Sequence, residues 1–458
     1  MNSLERGGNG FGPYLRNAMP SILSMVFLSF YTTVDGLFVS HMAGSDALAA
    51  INIVIPVTCL LFGLAVMLAC GAGAIIGERL GEGRKKEADN LFSFITFCLL
   101  AFTVVFTLVC LVMIRPLARL LGSTARLDVH VLPYLAAILA GAVPMAFKLY
   151  FEYLARTDGH PKVALLMSSG GLVLNLILDF LFVVVLDMGT LGAGLGTTLS
   201  ITASALVGLV HFLRGRNLRF IRFHAEPRSL LKSCTNGSSE MLSELSTGIT
   251  TLLFNLIILS VYGEDGVAAV TVVMYIYYFF IAFYMGLAVS AAPLVSFSYG
   301  AGDWPRIGRI LRYSFITLSF LALVMTLAAY LTSPLVASVF LEPSAAWEIT
   351  VHGLELTSLV YLTCGLNVFM SSYFTALGDG LRSAVISTLR SLILVSLFLL
   401  VLPPVIGDAG IWLSLPLADL ATLPFSLIFF LIKGRVSAVR KHRLLELEAA
   451  ALSQDILS

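Results

Sequence analysis

Charge is what this chain has least of. Only 12% of its 458 residues are Asp, Glu, Lys or Arg, against 58% hydrophobic residues and a mean hydropathy of +0.94. Soluble domains carry about 25% charged residues, so this composition excludes a water-solvated chain and makes lipid the solvent. Enzyme signatures are missing too. None of the seven histidines forms an HExxH or HxxxH arrangement, and no serine or cysteine sits in a recognised nucleophile motif, so the chain is not expected to be an enzyme. Cys59, Cys70, Cys98, Cys110, Cys234 and Cys364 fall in or beside apolar runs without CxxC spacing, which argues against a disulfide framework or a zinc site and for packing. The run Gly71 to Gly77 has the wrong glycine spacing for a dinucleotide loop, and no strand precedes it. Gly73, Gly77 and Gly81 instead follow the four-residue spacing that lets helices approach closely in lipid.

What the chain has is apolar runs. A bilayer core about 30 Å thick takes about 20 apolar residues per crossing. Reading between charged and Gly/Pro breaks predicts twelve spans, near 17–41, 47–77, 90–113, 129–153, 162–186, 191–213, 236–262, 266–297, 309–332, 347–376, 382–405 and 410–432. The two longest are expected to tilt or kink. Of the 28 lysines and arginines, 23 fall at the termini or in loops after even-numbered spans. Basic loops stay cytoplasmic, so both termini are expected there, with no removable signal at the start.

The chain also repeats itself. Gly44-Ser-Asp-Ala-Leu-Ala-Ala50 returns as Gly263-Glu-Asp-Gly-Val-Ala-Ala269, and the same offset of 219 carries Gly81-Glu-Gly83 onto Gly300-Ala-Gly302. Six spans per half is an even number, so the halves face the same way, as parallel repeats about an axis along the membrane normal. The expected organisation is an amino-terminal segment over 1–16, six-helix lobes over 17–213 and 236–432, a cytoplasmic linker over 214–235, and an amphipathic tail over 433–458.

Together these motifs resemble a family. Val34-Asp-Gly-Leu-Phe-Val39, Gly81-Glu-Gly83, Arg156 to Lys162, Asn175-Leu-Ile-Leu-Asp179, Gly189 to Thr198, Gly237 to Glu244, Tyr299 to Gly302 and Gly410 to Pro416 are similar to the multidrug and toxic compound extrusion (MATE) transporters, nearest to the MepA-like branch. The resemblance implies an all-α membrane fold of two six-helix lobes around a central cavity, a bacterial inner-membrane location, and export of small organic, often cationic, compounds against inward flow of protons or sodium ions. No other cofactor, no nucleic acid and no partner beyond substrates and lipids is expected, and the chain is expected to act as a monomer. The alternative is a flippase or exporter of lipid-linked or other narrow-specificity metabolites, which the mainly acidic charge at cavity depth disfavours.

Ionisable groups at membrane depth cost about 2.5–3.5 kcal/mol each on insertion scales, which makes them functional candidates. Asn175 and Asp179, four apart, share a helix face where amide and carboxyl can hold a proton or a cation. The resemblance adds Asp35 and Thr197, giving an ion-coupling set of Asp35, Asn175, Asp179 and Thr197, with sodium a possible occupant at the first three. Glu240 and Glu244 share a face of the seventh span; Glu244 matches the family's acidic position there and joins the coupling set, while Glu240 and Glu355 are candidates for the substrate cavity. Lys148, Glu152 and Arg156 read as an ion ladder rising to the cytoplasmic surface, and Arg390 with Asp419 as a mutually neutralising pair. The eighth span is rich in aromatic residues, and its stripe Tyr277, Phe280 and Tyr284 is expected to line the cavity, where aromatic faces attract organic cations.

Overall fold

The computed structural model describes residues 10–432 except 43 and 216; the side chains of 31–49, 51, 52 and 264 also lie outside it. The expected tail over 433–458 therefore falls outside the described residues, as does the side chain of Asp35. The described residues are helical throughout their ordered elements and contain no strand. In chain order the helices are α1 (Phe11–Met42), α2 (Gly44–Gly81), α3 (Lys85–Val112), α4 (Ile114–Leu120), α5 (Asp128–Ala140), α6 (Ala142–Thr157), α7 (Pro161–Asp179), α8 (Gly189–Leu213), α9 (Pro227–Gly300), α10 (Trp304–Leu331), α11 (Ser333–Phe340), α12 (Ala345–Thr357), α13 (Cys364–Ala376), α14 (Gly380–Thr388), α15 (Leu394–Ile406) and α16 (Ala409–Ile432).

Nine described helices are long and apolar enough to cross a bilayer. Two of these are the limbs of α9, Pro227–Gly263 and Asp265–Gly300, joined at Gly263 with φ 65° and ψ −147°, a backbone state that glycine adopts without steric cost. The pairs α5/α6 and α12/α13 are each one bent span, by 49° and 43°. The sequence reads both as unbroken runs. In α5/α6 the bend falls at Gly141, whose N–H donates 3.1 Å to the carbonyl of Ala137, and Thr198 Oγ1 adds a second donor to that carbonyl at 2.9 Å. The 32 residues of α1 extend about 48 Å and complete twelve spans. Lipid-facing surfaces are apolar, as at Val112, which is 85% exposed.

Packing follows the duplication. One core gathers residues between Ala50 and Leu218, with Phe92, Tyr150, Phe151 and Phe212 at its centre. The other gathers residues between Phe254 and Ala418, and takes in Tyr14, Ala18, Ile22, Met25 and Val26 of α1. The halves meet through glycines near the end of the bundle that carries the basic loops. A Cβ on Gly81 would collide with the Phe297 carbonyl, and one on Gly300 with the Glu78 carbonyl. The offset of 219 maps the first contact onto the second, so the repeat read from sequence is the axis of the fold. Deeper in, Gly71 packs on the Ser233 carbonyl, Gly237 on the Met67 carbonyl, and Gly286 on Ser21 and Ile22.

Candidate ion and substrate site

Two cavities lie between the halves, beyond these crossings. The larger, about 490 Å³, is lined from α1 by Met25, Leu28 and Ser29, from the first limb of α9 by Ser243, Glu244, Thr247 and Thr250, and from the second limb by Tyr275, Tyr277 and Tyr278, with Arg390 closing one wall. The other, about 280 Å³, reaches into the first half along Lys148, Glu152, Ser168, Gly171 and Ser200. Glu244 lines both. It stands roughly 25 Å along the limb from Pro227, which is mid-membrane depth. Glu240, one turn towards the basic end, lies apart from them in a pocket of about 50 Å³ with Cys70, Tyr153, Thr157, Ser296 and Thr375.

The first-half cavity ends on a buried charged network that the sequence reading places at a solvated surface. Glu152 is 1% exposed, Arg156 3% and Lys148 8%. Oε1 of Glu152 accepts from Ser24, Ser168 and Arg156, each at 2.8 Å, and Oε2 lies 2.7 Å from Lys148 Nζ. Arg156 also donates 3.0 Å to Ser24 Oγ. Three helices, α1, α6 and α7, are thus held by one carboxylate. The signal available was the charge itself: three charges at four-residue spacing in an otherwise apolar helix were too many to leave to a surface.

Further along α7, Asn175 and Asp179 are both buried, as is Thr197. Neither polar atom of the Asn175 amide has a hydrogen-bond partner among the described residues. Asp179 Oδ1 sits over Gly196, in the space a Cβ there would fill, so its carboxyl is brought to the residue preceding Thr197. Directly after Asp179 the helix widens into a π turn, Phe180–Val185, of the kind found at functional sites.

In the second half, Arg390 Nε donates 3.0 Å to Asp419 Oδ1, which also accepts from Asn367 Nδ2 at 2.9 Å; this is the expected neutralising pair, placed at a cavity wall. The aromatic stripe divides. Tyr277 lines the large cavity, whereas Tyr284 donates 2.8 Å to the Tyr361 carbonyl and Phe280 packs on the Tyr361 ring at 5.0 Å, inside the core. Tyr275 and Tyr278 take their place at the wall. Glu355 is remote from both cavities, 3.5 Å from Ser333 Oγ at the start of α11.

Twelve helices in two like halves around a cleft, with carboxylates and an ion pair at membrane depth, define a multi-pass transporter fold. The MatE family pattern matches residues 20–181 and again 241–400, and the chain belongs to that family. It is 24% identical over 435 residues to the multidrug export protein MepA of Staphylococcus saprophyticus, covering 94% of this chain and 95% of that one, and 23% identical over 431 residues to MepA of Staphylococcus aureus strain N315, covering 93% and 95%. Among solved structures, a MATE in complex with MaL6 superposes with a TM-score of 0.89 at 23% identity, over 96% of this chain and 100% of that one. An outward-facing multidrug resistance MATE transporter gives 0.87 at 23%, over 96% and 97%.

Proposed function

We propose that the protein exports small organic compounds, often cationic, in antiport with protons or sodium ions by alternating access. The observation that carries this is the position of Glu244, shared by a cavity walled with tyrosines and a cavity leading to the first half's buried charges. A carboxylate there holds an organic cation, and aromatic faces add about 2 kcal/mol or more once the cation is desolvated. Asp35, Asn175, Asp179 and Thr197, with Glu244, form the coupling set, with Asp35 and Asp179 taking up the proton or sodium ion. Ion binding expels substrate only through differential affinity between two lobe arrangements. The bundle sits in the bacterial inner membrane with its basic end and both termini in the cytoplasm, and the lobes run over 17–213 and 236–432. In that orientation the glycine crossings seal the cytoplasmic side, which supports reading this conformation as outward-facing.

The test is efflux of a fluorescent organic cation from proteoliposomes under a proton or a sodium gradient imposed separately, with Asp35→Asn and Glu244→Gln alongside. Movement driven by one gradient and lost in Asp35→Asn is expected and names the ion. Movement under neither gradient rejects multidrug antiport and leaves a narrow or lipid-linked substrate. Full export by Asp35→Asn removes that residue from the coupling set.

A further inference from the structure

Away from the cavities, at the basic end of the first half, Asp158 stands between two imidazoles. Its Oδ2 lies 2.8 Å from Nδ1 of His160 and 2.9 Å from Nε2 of His211, and the two rings meet edge-on at 5.0 Å between centroids. The three potential ligand atoms all fall within 4.8 Å of one another. The carboxylate is aimed: Oδ1 accepts from the backbone N–H of Leu218 at 2.7 Å, and the Asp158 carbonyl accepts from Asn217 Nδ2 at 2.6 Å, leaving Oδ2 for the rings. His211 is braced edge-on by Phe212. Burial alone would raise the Asp158 carboxyl, but the hydrogen bonds from His160, His211 and Leu218 outweigh it and hold the group below the usual carboxylate range.

We propose that Asp158, His160 and His211 form a binding site for one divalent transition-metal ion of the zinc type. Two imidazole nitrogens and a carboxylate oxygen are a borderline-soft donor set suited to zinc and its neighbours, not to magnesium or calcium. Ligands about 2.0–2.2 Å from a common ion are about 3.0–3.5 Å apart, so the two oxygen–nitrogen pairs need open by only about half an ångström, and the two imidazole nitrogens already lie within 4.8 Å of each other. The hydrogen bonds from Leu218 and Asn217 are the outer-sphere contacts that fix a ligating carboxylate. His160, 24% exposed, gives the ion its entry and leaves room for water to complete the shell. The ion would fasten the α6–α7 turn and the end of α8 to the start of the linker between the halves. It is independent of the substrate cavities.

The experiment is zinc titration of the purified full-length protein in detergent, with any affinity tag removed, using a chromophoric chelator as competitor. One saturable equivalent is expected, weakened at least about tenfold in His160→Gln and in His211→Gln, since loss of even an outer-sphere partner weakens a site this much. X-ray absorption on the zinc-loaded wild type reads the same site without a variant, and is expected to show two imidazoles and oxygen donors. No saturable zinc, unchanged affinity in either histidine variant, or a sulfur-containing shell overturns the proposal.

Discussion

Glu152 carries two cations on one carboxylate, and the consequence is testable at that residue. Replacing it with glutamine leaves Lys148 and Arg156 buried without a counter-charge, which costs about 3–5 kcal/mol. A marked drop in melting temperature is expected for Glu152→Gln, with part of it restored in the double variant Glu152→Gln/Lys148→Met; an unchanged melting curve refutes the network. Gly196 gives a second residue-scale prediction. Gly196→Ala pushes a methyl into the space held by Asp179 Oδ1, and overpacking of this kind costs about 1–3 kcal/mol. Ion-coupled transport is expected to fall with it, as in Asp179→Asn; wild-type coupling in Gly196→Ala would show that this contact does not set the carboxyl. Single residues were also where sequence was least informative. Depth and charge pointed to Asp179 and Glu244, but whether Glu152 meets water or Ser24 depends on α1 crossing both halves, which no local pattern encodes. Helical spacing likewise put Tyr277, Phe280 and Tyr284 on one stripe without deciding which of them faces the α12/α13 core.

Helices and loops were more legible, with failures where backbone geometry departs from a straight rod. Most predicted spans match a helix to within a few residues. The bends at Gly141 and after Leu362 were missed because hydropathy does not register a change of direction inside an apolar run. The seventh span starts at Pro227, earlier than its apolar run, because Glu226 anchors its polar first turns. Glu226 accepts from Arg79 Nη2 at 2.7 Å, Asn90 Nδ2 at 2.6 Å and Ser229 Oγ at 2.6 Å. Burial opposes its charge, but these hydrogen bonds prevail and lower its carboxyl from 4.5 to about 2. The stabilisation is therefore complete above the unfolded value near 4.5 and is lost as pH falls towards 2. In a water-accessible setting it amounts to no more than about 1 kcal/mol. Unfolding midpoints of wild type and Glu226→Gln are expected to differ at pH 7 and converge towards pH 2; a constant gap would dismiss the anchor. The glycine crossings belong to this scale too. Gly300→Val separates α2 from α9 at the basic end, and is expected to expose Cys70 to a polar maleimide in a variant that keeps only this cysteine. Unaltered labelling would mean that the crossing does not hold the cleft shut.

For the molecule as a whole, the duplication was the strongest signal in the sequence, because one offset of 219 relates the contact of Gly81 with Phe297 to that of Gly300 with Glu78. What lies off the axis differs between halves: a carboxylate beside the π turn at Phe180–Val185 in one, an arginine within the π turn at Leu389–Ile393 in the other. The scaffold is symmetric and the chemistry is not. At the axis itself, Gly81 rests on Phe297 and Gly300 on Glu78. That reciprocity is the signature of an isologous interface, in which residue i touches j and j touches i. At this end the two halves meet as two copies of one subunit would, so a six-helix half carries there the self-complementary face that a dimer of such halves would use.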